Sequence, residues 1–145
     1  MRLLIITIFT LLISFSSSFA DYTAGKTAYD AGDYETARTE LLPLAESGDA
    51  ESQYLMGQMV YVTKEDRTNV DEAIKWYSLA AEQNNMKAQH NLAKMYGWKK
   101  PASEHGHLMV KWLFVSKHNG DHEAVSVLEY LEKSLPSEMF SQGER

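Results

Sequence analysis

Apolar and small side chains recur at helical spacing along almost all of the chain that follows residue 20. Positions three, four, seven and eight apart share one face of an α-helix, as do Ala73, Trp76, Tyr77, Ala80 and Ala81. The sequence contains no alternating run of β-branched residues, which is the pattern typical of strands. The chain is therefore predicted to be all-α, with helices near residues 22–30, 34–47, 51–62, 70–83, 87–97, 104–118 and 122–134.

The helical pattern recurs with a period of 36 residues. Lys75-Trp76 returns as Lys111-Trp112. Residues that favour the left-handed turn at a helix end recur at the same spacing, as Gly48, Asn84 and Gly120. Helical hairpins in one register form an α-solenoid. We predict a short right-handed solenoid with units at about residues 21–48, 49–84 and 85–120, a terminal helix at 121–134 and a tail at 135–145.

The repeated apolar columns predict which residues form the core. Small residues at Gly57 and Ala93 should allow a neighbouring helix to approach closely. The tail from Pro136 is expected to form one capped turn or to fray. The residues predicted to form the structural core of the repeat are Ala73, Trp76, Tyr77, Ala80, Ala81, Ala88, Leu92, Tyr96, Trp112 and Ala124.

One stretch of the repeat carries a recognisable series of residues. The series is Ala73-x-x-Trp76-Tyr77-x-x-Ala80-Ala81-x-x-Asn84-x-x-x-Ala88-Gln89-x-x-Leu92-x-x-x-Tyr96. It resembles the Sel-one-like repeat, a tetratricopeptide-like α/α module, and the resemblance extends from Ala45 to about Leu131. The chain departs from the family in the loops between helices. The positions usually held by glycine carry Thr63 and Glu65 in one loop and Lys99 and Pro101 in the next. The resemblance implies stacked helical hairpins and a role as an adaptor or regulator, often in the bacterial cell envelope.

The first twenty residues have the layout of a secretory signal peptide. Arg2 precedes the apolar stretch Leu3–Phe15, which is too short to cross a bilayer comfortably. Ser18-Phe19-Ala20 then forms a small-x-small cleavage site. We predict cleavage after Ala20 and a secreted or periplasmic protein without a membrane span; an uncleaved membrane anchor is the alternative.

Composition narrows the chemistry that is open to the chain. The net charge of −6 disfavours binding to nucleic acid, which requires clustered Lys and Arg. The absence of cysteine excludes disulfides, thiolate nucleophiles and Cys-ligated metals. The acidic residues are concentrated before Lys87, and a protein or peptide partner could be oriented by this gradient. The chain is expected to be a monomer that needs no cofactor.

Two motifs suggest chemistry that the sequence does not otherwise support. Ala20–Thr27 matches a relaxed phosphate-loop pattern, but the apolar stretch before it is the predicted signal peptide rather than a buried strand. The five histidines lie between His90 and His122. Their spacing is interrupted by the turn at Asn119-Gly120, so solvated surface histidines are favoured over a metal site. No catalytic, cofactor-binding or metal-binding residue is predicted.

A binding face is predicted where the repeat changes its side chains. In the first helix of each unit, the columns beside the apolar positions become polar and aromatic, which is expected of either a solvated surface or a groove. The groove hypothesis assigns partner binding to Glu51, Tyr54, Gln58, Lys87, His90 and Lys94. The loops Thr63–Thr68 and Trp98–Ser103 are the next candidates.

The function predicted from the sequence is that of an exported, non-enzymatic scaffold that binds a protein or peptide. The alternative is a small envelope hydrolase or a protein that binds cell-wall compounds, a role described for some cysteine-rich members of the family. This chain lacks the cysteines on which the folds of those relatives depend.

Overall fold

The computed structural model describes residues 21–62, 69–99 and 101–145, and these residues form helices and no strand. The predicted all-α class is therefore confirmed for this part of the chain. The predicted signal peptide at 1–20 and the loop Thr63–Thr68 lie outside the described residues. The helices are α1 (Tyr22–Asp30), α2 (Tyr34–Glu46), α3 (Ala50–Val62), α4 (Val70–Glu82), α5 (Met86–Trp98), α6 (Ala102–His118), α7 (His122–Ser134) and α8 (Ser137–Glu144).

Each helix from α1 to α6 packs against its neighbours along the chain, and α6 also packs against α8. This sequential packing buries one continuous set of apolar faces from α2 to α5 and a second set between α5 and α7. Trp112 of α6 packs against both sets and is partly buried. The protein is therefore built from neighbouring helices along the chain rather than around one central helix.

One turn geometry occurs three times at a spacing of 36 residues. Its turn residue has a positive φ at Gly48 (105°), Asn84 (64°) and Gly120 (99°), as predicted. The residue after each turn caps the next helix through a side-chain oxygen. These capping bonds join Asp49 Oδ1 to the Ser52 amide (2.7 Å), Asn85 Oδ1 to the Ala88 amide (3.0 Å) and Asp121 Oδ1 to the Ala124 amide (3.3 Å).

Two buried glutamines also make equivalent contacts 36 residues apart. Gln53 donates through Nε2 to the carbonyl of Ala45 at 3.0 Å, and Gln89 donates in the same way to Ala81 at 3.1 Å. The Oε1 atoms of these glutamines accept hydrogen bonds from Gln83 Nε2 (2.8 Å) and Asn119 Nδ2 (2.9 Å). Each glutamine thus joins three helix segments, because its amide is satisfied on both sides.

Most of the predicted core residues are buried. Tyr96 and Trp112 are exceptions, since both are partly buried at the edge of the packed faces. Gly57 is buried where predicted, and an added Cβ would lie 2.7 Å from the Tyr77 ring. The residues that the structure buries are Ala73, Trp76, Tyr77, Ala80, Ala81, Ala88, Leu92 and Ala124.

The C-terminal tail is more ordered than the single turn or frayed end expected from the sequence. Residues Ser137–Glu144 form the two-turn helix α8, which packs against α6. Gly143 makes this contact possible, because an added Cβ would lie only 2.5 Å from the carbonyl oxygen of His107. Phe140 also packs edge-to-face on Phe114, with ring centroids 5.7 Å apart.

Helix starts differ slightly from the sequence-based boundaries. Helix α6 begins at Ala102 rather than near residue 104. Asn69 is the N-cap residue of α4, but its side chain makes no capping bond and instead donates to Glu72 at 3.1 Å.

Candidate functional site

Side chains of α5 and its N-cap contact α3 on one side and α7 on the other. Asn85, at the start of α5, donates to Glu51 Oε1 of α3 at 3.0 Å. Lys87 of α5 places its ammonium 5.9 Å from the centre of the Tyr54 ring, within the range of a cation–π contact. His90 of α5 reaches the Asp121 cap of α7. The three helices that alternate along the chain therefore present one shared surface.

This surface contains an open pocket of about 230 Å³. Its lining combines an aromatic ring, a thioether, a cation, an imidazole, an amide and two carboxylates, which is a set suited to mixed polar and apolar contacts. The lining residues are Tyr54, Met86, Lys87, His90, Asn91, Asp121 and Glu123.

His90 is held in place by a hydrogen-bonded network with Asp121 and Ser116. The His90 Nδ1 atom lies 2.7 Å from Asp121 Oδ2, and the Ser116 hydroxyl donates to the same oxygen at 2.6 Å. An ionised carboxylate only accepts hydrogen bonds, so the Nδ1 atom carries the shared proton. In a neutral imidazole the Nε2 atom is then an acceptor, whereas in an imidazolium it would donate toward the exposed carboxylate of Glu123, which lies 3.8 Å away.

The Asp121 carboxyl is stabilised in its ionised form. Burial alone would raise its pKa, but hydrogen bonds from Ser116 and His90 and from the Ala124 amide outweigh burial. The pKa of Asp121 therefore lies below its ordinary value of 3.8. One side chain thus caps α7 and orients the imidazole of α5.

A second network fixes Tyr54 from behind the pocket. The Tyr77 hydroxyl donates to Gln58 Oε1 at 2.7 Å, and Gln58 Nε2 donates to the Tyr54 hydroxyl oxygen at 3.0 Å. Burial, together with the nearby charge of Glu51, raises the pKa of Tyr54, and burial also raises the pKa of Tyr77. Both phenols therefore stay neutral, and the Tyr54 ring is held at the pocket wall.

The six residues of the groove hypothesis fall into three groups. Tyr54, Lys87 and His90 line the pocket. Gln58 lies beneath them, and its amide is engaged by Tyr54 and Tyr77 rather than presented to a partner. The other two, Glu51 and Lys94, are exposed but do not line the pocket.

Sequence reasoning missed Met86, Asn91 and Asp121 as parts of this site. Asp121 had an available signal, because it follows the turn residue Gly120 as Asn85 follows its own turn. Its contact with His90 spans 31 residues, however, and depends on how α5 and α7 pack. No pattern along the chain marks Met86 or Asn91.

The described part of the phosphate-loop lookalike, residues 21–27, forms the N-cap and first turns of α1 rather than a loop. Gly25 is buried inside α1, and Lys26 pairs with Asp30 one turn later at 2.6 Å. The first amides of α1, those of Thr23 and Ala24, already donate to the Asp21 carboxylate at 2.8 and 3.4 Å, and this carboxylate stands where a phosphate would have to bind. In the described part of the chain, no group of three or more His, Asp or Glu side chains is arranged to hold a metal ion.

No protein-family model, curated protein or solved structure matches this chain. Among the described residues, no helix combines the length and the apolar character needed to cross a membrane.

Proposed function

We propose that the chain is a Sel-one-like helical-repeat protein, folded as a short right-handed α-solenoid, that binds a peptide or protein segment between α3, α5 and α7. The 36-residue recurrence of the left-handed turn, the capping bond and the buried glutamine supports the repeat assignment. Each solenoid unit contacts its neighbours in the same way, so equivalent bonds at equivalent positions are expected.

The pocket containing Tyr54, Lys87 and His90 is the observation that carries the binding function. Its main groups are positioned before any partner arrives, because Tyr54 is held through Gln58 and His90 through Asp121. Positioned side chains lose little conformational entropy on binding. Tyrosine also provides a large contact area with few rotatable bonds, which favours it as a binding hot spot.

The polar groups of the pocket suit a peptide in an extended conformation. In its neutral form His90 offers Nε2 as an acceptor for a backbone N–H. The Asn91 amide donates one N–H to Gln58 Oε1 at 3.4 Å and has a second N–H and an oxygen for a partner. Met86 and the Tyr54 ring provide apolar contacts, and a methionine can adapt to different side chains. The mixture favours a peptide over a purely apolar ligand.

Hydrolysis is the second candidate, and the Asp121–His90 pair favours it. A carboxylate that orients an imidazole is a common feature of general-base sites. The Ser116 hydroxyl, however, donates to Asp121 rather than to His90, so these three groups do not form a nucleophile–base pair. A hydrolase would have to activate water through His90, and His90→Gln would then abolish turnover of a peptidoglycan-fragment substrate.

Export to the cell envelope is part of the proposal, and residues 1–20 support it. The apolar stretch Leu3–Phe15 and the Ser18-Phe19-Ala20 site predict a mature chain that begins at Asp21. N-terminal sequencing of the exported protein tests this directly. Met1 retained in a membrane fraction would contradict it.

Selection of peptides from a phage-displayed random library tests the binding function. The mature protein is the bait, and the enriched peptides are then measured on the Tyr54→Ala/His90→Ala variant, which takes no part in the selection. A peptide enriched on the wild type should bind the variant at least about tenfold more weakly, equivalent to about 1.4 kcal/mol. Tyr61→Ala/His118→Ala removes one tyrosine and one histidine outside the pocket and should bind as the wild type does. Equal affinity for both double variants, with wild-type circular dichroism, would contradict the proposal.

A further inference from the structure

A second, unrelated groove lies at the C-terminal end of the described helices. It has a volume of about 310 Å³ and is bounded by α6, α7 and α8. Its apolar floor and wall consist of Phe114, Val125, Leu128 and Phe140. The exposed Glu129, Glu132 and Glu144 form its acidic rim, and Lys117 of α6 also lines it.

The groove is open because α8 does not take the position of a second helix beside α7. Helix α4 packs closely on α3 and α6 packs closely on α5, whereas α8 packs on α6 and barely touches α7. Helix α8 has only 8 residues, against 13 in α4 and 17 in α6. One flank of α7 is therefore left without the helix that covers the same flank of α3 and α5.

The sequence register shows that this flank of α7 has changed its chemistry. Glu129 stands 36 residues after Ala93 and twice that distance after Gly57, both of which are buried against the second helix of their hairpin. Glu132 likewise stands 36 residues after Tyr96 and twice that distance after Val60, which is buried. In α7, carboxylates therefore stand beside the apolar floor at positions that carry small or apolar residues in α3 and α5.

The charge of the rim indicates what kind of partner fits. Glu129, Glu132 and Glu144 are exposed, and within the described residues none of them forms an ion pair. The ammonium of Lys117 lies 5.9 Å from the Phe114 ring, in a cation–π arrangement. A segment that brings apolar side chains to the floor and cations to the rim is complementary on both counts.

We propose that this groove, the α6–α7–α8 groove, binds a cationic amphipathic helix of another protein. The bound helix would lie beside α7, where α4 and α6 lie beside their own first helices. Its apolar residues would contact Phe114, Val125 and Phe140, and its Lys or Arg residues would pair with Glu129 and Glu132. This is a helix-in-groove mode of recognition. It is independent of the pocket between α3, α5 and α7.

Charge argues against a second copy of this chain as the occupant. A symmetric dimer would bring the same acidic rim against itself. A head-to-tail contact would place the rim against the strongly acidic part of the chain before Lys87. Both arrangements oppose like charges, which weakens association.

Binding of model peptides tests the proposal. The probe is a fluorescein-labelled amphipathic peptide of leucine and lysine, and its partner probe replaces every lysine with glutamate. The lysine peptide should bind the wild type and should bind Glu129→Lys/Glu132→Lys at least about tenfold more weakly. The glutamate peptide should show the reverse preference. Both substituted residues are exposed, so the variant should retain the wild-type helical signal.

A matched control separates the groove from general attraction to an acidic protein. Glu46→Lys/Glu82→Lys changes the net charge equally at two exposed residues outside the groove. It should bind the lysine peptide nearly as the wild type does, with the remaining difference removed by salt. The proposal is overturned if both charge variants lose equal affinity, or if the wild type binds neither peptide. It is also overturned if the wild type forms a dimer that Glu129→Lys/Glu132→Lys abolishes.

Discussion

Gly57 sets how closely α3 and α4 approach, because the Tyr77 ring occupies the space next to its Cα. The equivalent pair one unit later is Ala93 and Leu113, in which a slightly larger residue faces a smaller one. The ring of Tyr77 cannot easily move, since it is buried and its hydroxyl donates to Gln58. The glycine is therefore required by the packing of the helices and not by the backbone conformation.

Gly57→Ala is expected to destabilise the protein by about 1–3 kcal/mol, the usual cost of overpacking a core. The added Cβ would lie 2.7 Å from the Tyr77 ring, and the gain in helix propensity offsets only part of this strain. Gly97→Ala is the matched control, because its Cβ would meet only the flexible Met109 side chain. Urea unfolding of both variants measures the difference. Equal stabilities would show that α3 and α4 are not in this close contact.

The lowered pKa of Asp121 predicts that its contribution to stability depends on pH. Its pKa is lowered in the folded state, so its contribution is present above the ordinary value of 3.8 and is lost as the pH falls through the lowered folded value. Asp121→Asn keeps an N-cap residue but removes the charge. The wild type should therefore be more stable than Asp121→Asn near neutral pH, and the difference should narrow in acid.

Urea unfolding at several pH values measures the Asp121 effect. Asp49→Asn is the control, because Asp49 caps α3 through the Ser52 amide without a histidine contact. A stability difference for Asp121→Asn that stays constant from neutral pH to acid would contradict the network with Ser116 and His90.

At the scale of elements, the buried glutamines link neighbouring helices through hydrogen bonds. These bonds are directional, whereas apolar contacts are not. Gln89 links α5 to the last turn of α4 through Ala81 and to the turn after α6 through Asn119. At the next position of the 36-residue register stands Val125, which borders the α6–α7–α8 groove. The series of glutamine contacts thus ends where the helix packing changes.

Gln89→Met keeps most of the side-chain volume and removes both hydrogen bonds. We expect a loss of about 1–2 kcal/mol, because one buried hydrogen-bond network is broken while the Ala81 carbonyl keeps its bond from the Asn84 amide. Gln53→Met should cost a similar amount, since its bonds are equivalent. The exposed Gln142→Met is the control. Thermal unfolding that is unchanged in Gln89→Met would argue against the joining role.

At the scale of the whole molecule, sequence patterns predicted the helices and turns better than they predicted which helices pack against each other. The turns at Gly48, Asn84 and Gly120 were predictable because a positive φ is a property of one residue and its neighbours. The helix faces were predictable for the same reason. The half-buried state of Trp112 was not predictable, because it depends on how the two buried sets of apolar residues lie beside the ring.

The site was predictable in part. The change of side chains along the first helices indicated Tyr54, Lys87 and His90, which do line one pocket. The role of Asp121 required knowing that α7 lies beside α5. Helix α8 was missed because Pro136 and a short polar segment give little helical signal, and its contact through Gly143 depends on tertiary packing.

The most direct test of the proposed function is a ¹H–¹⁵N chemical-shift map of the mature protein, titrated with a peptide selected from the random library. We expect the largest shifts at Tyr54, Lys87, His90 and Asn91, the residues of α3 and α5 that line the pocket. Much smaller shifts are expected at Tyr61 and Trp98, whose rings stack 5.3 Å apart outside the pocket. Shifts concentrated at Tyr61 and Trp98, with Tyr54 and His90 unchanged, would contradict a binding site between α3, α5 and α7.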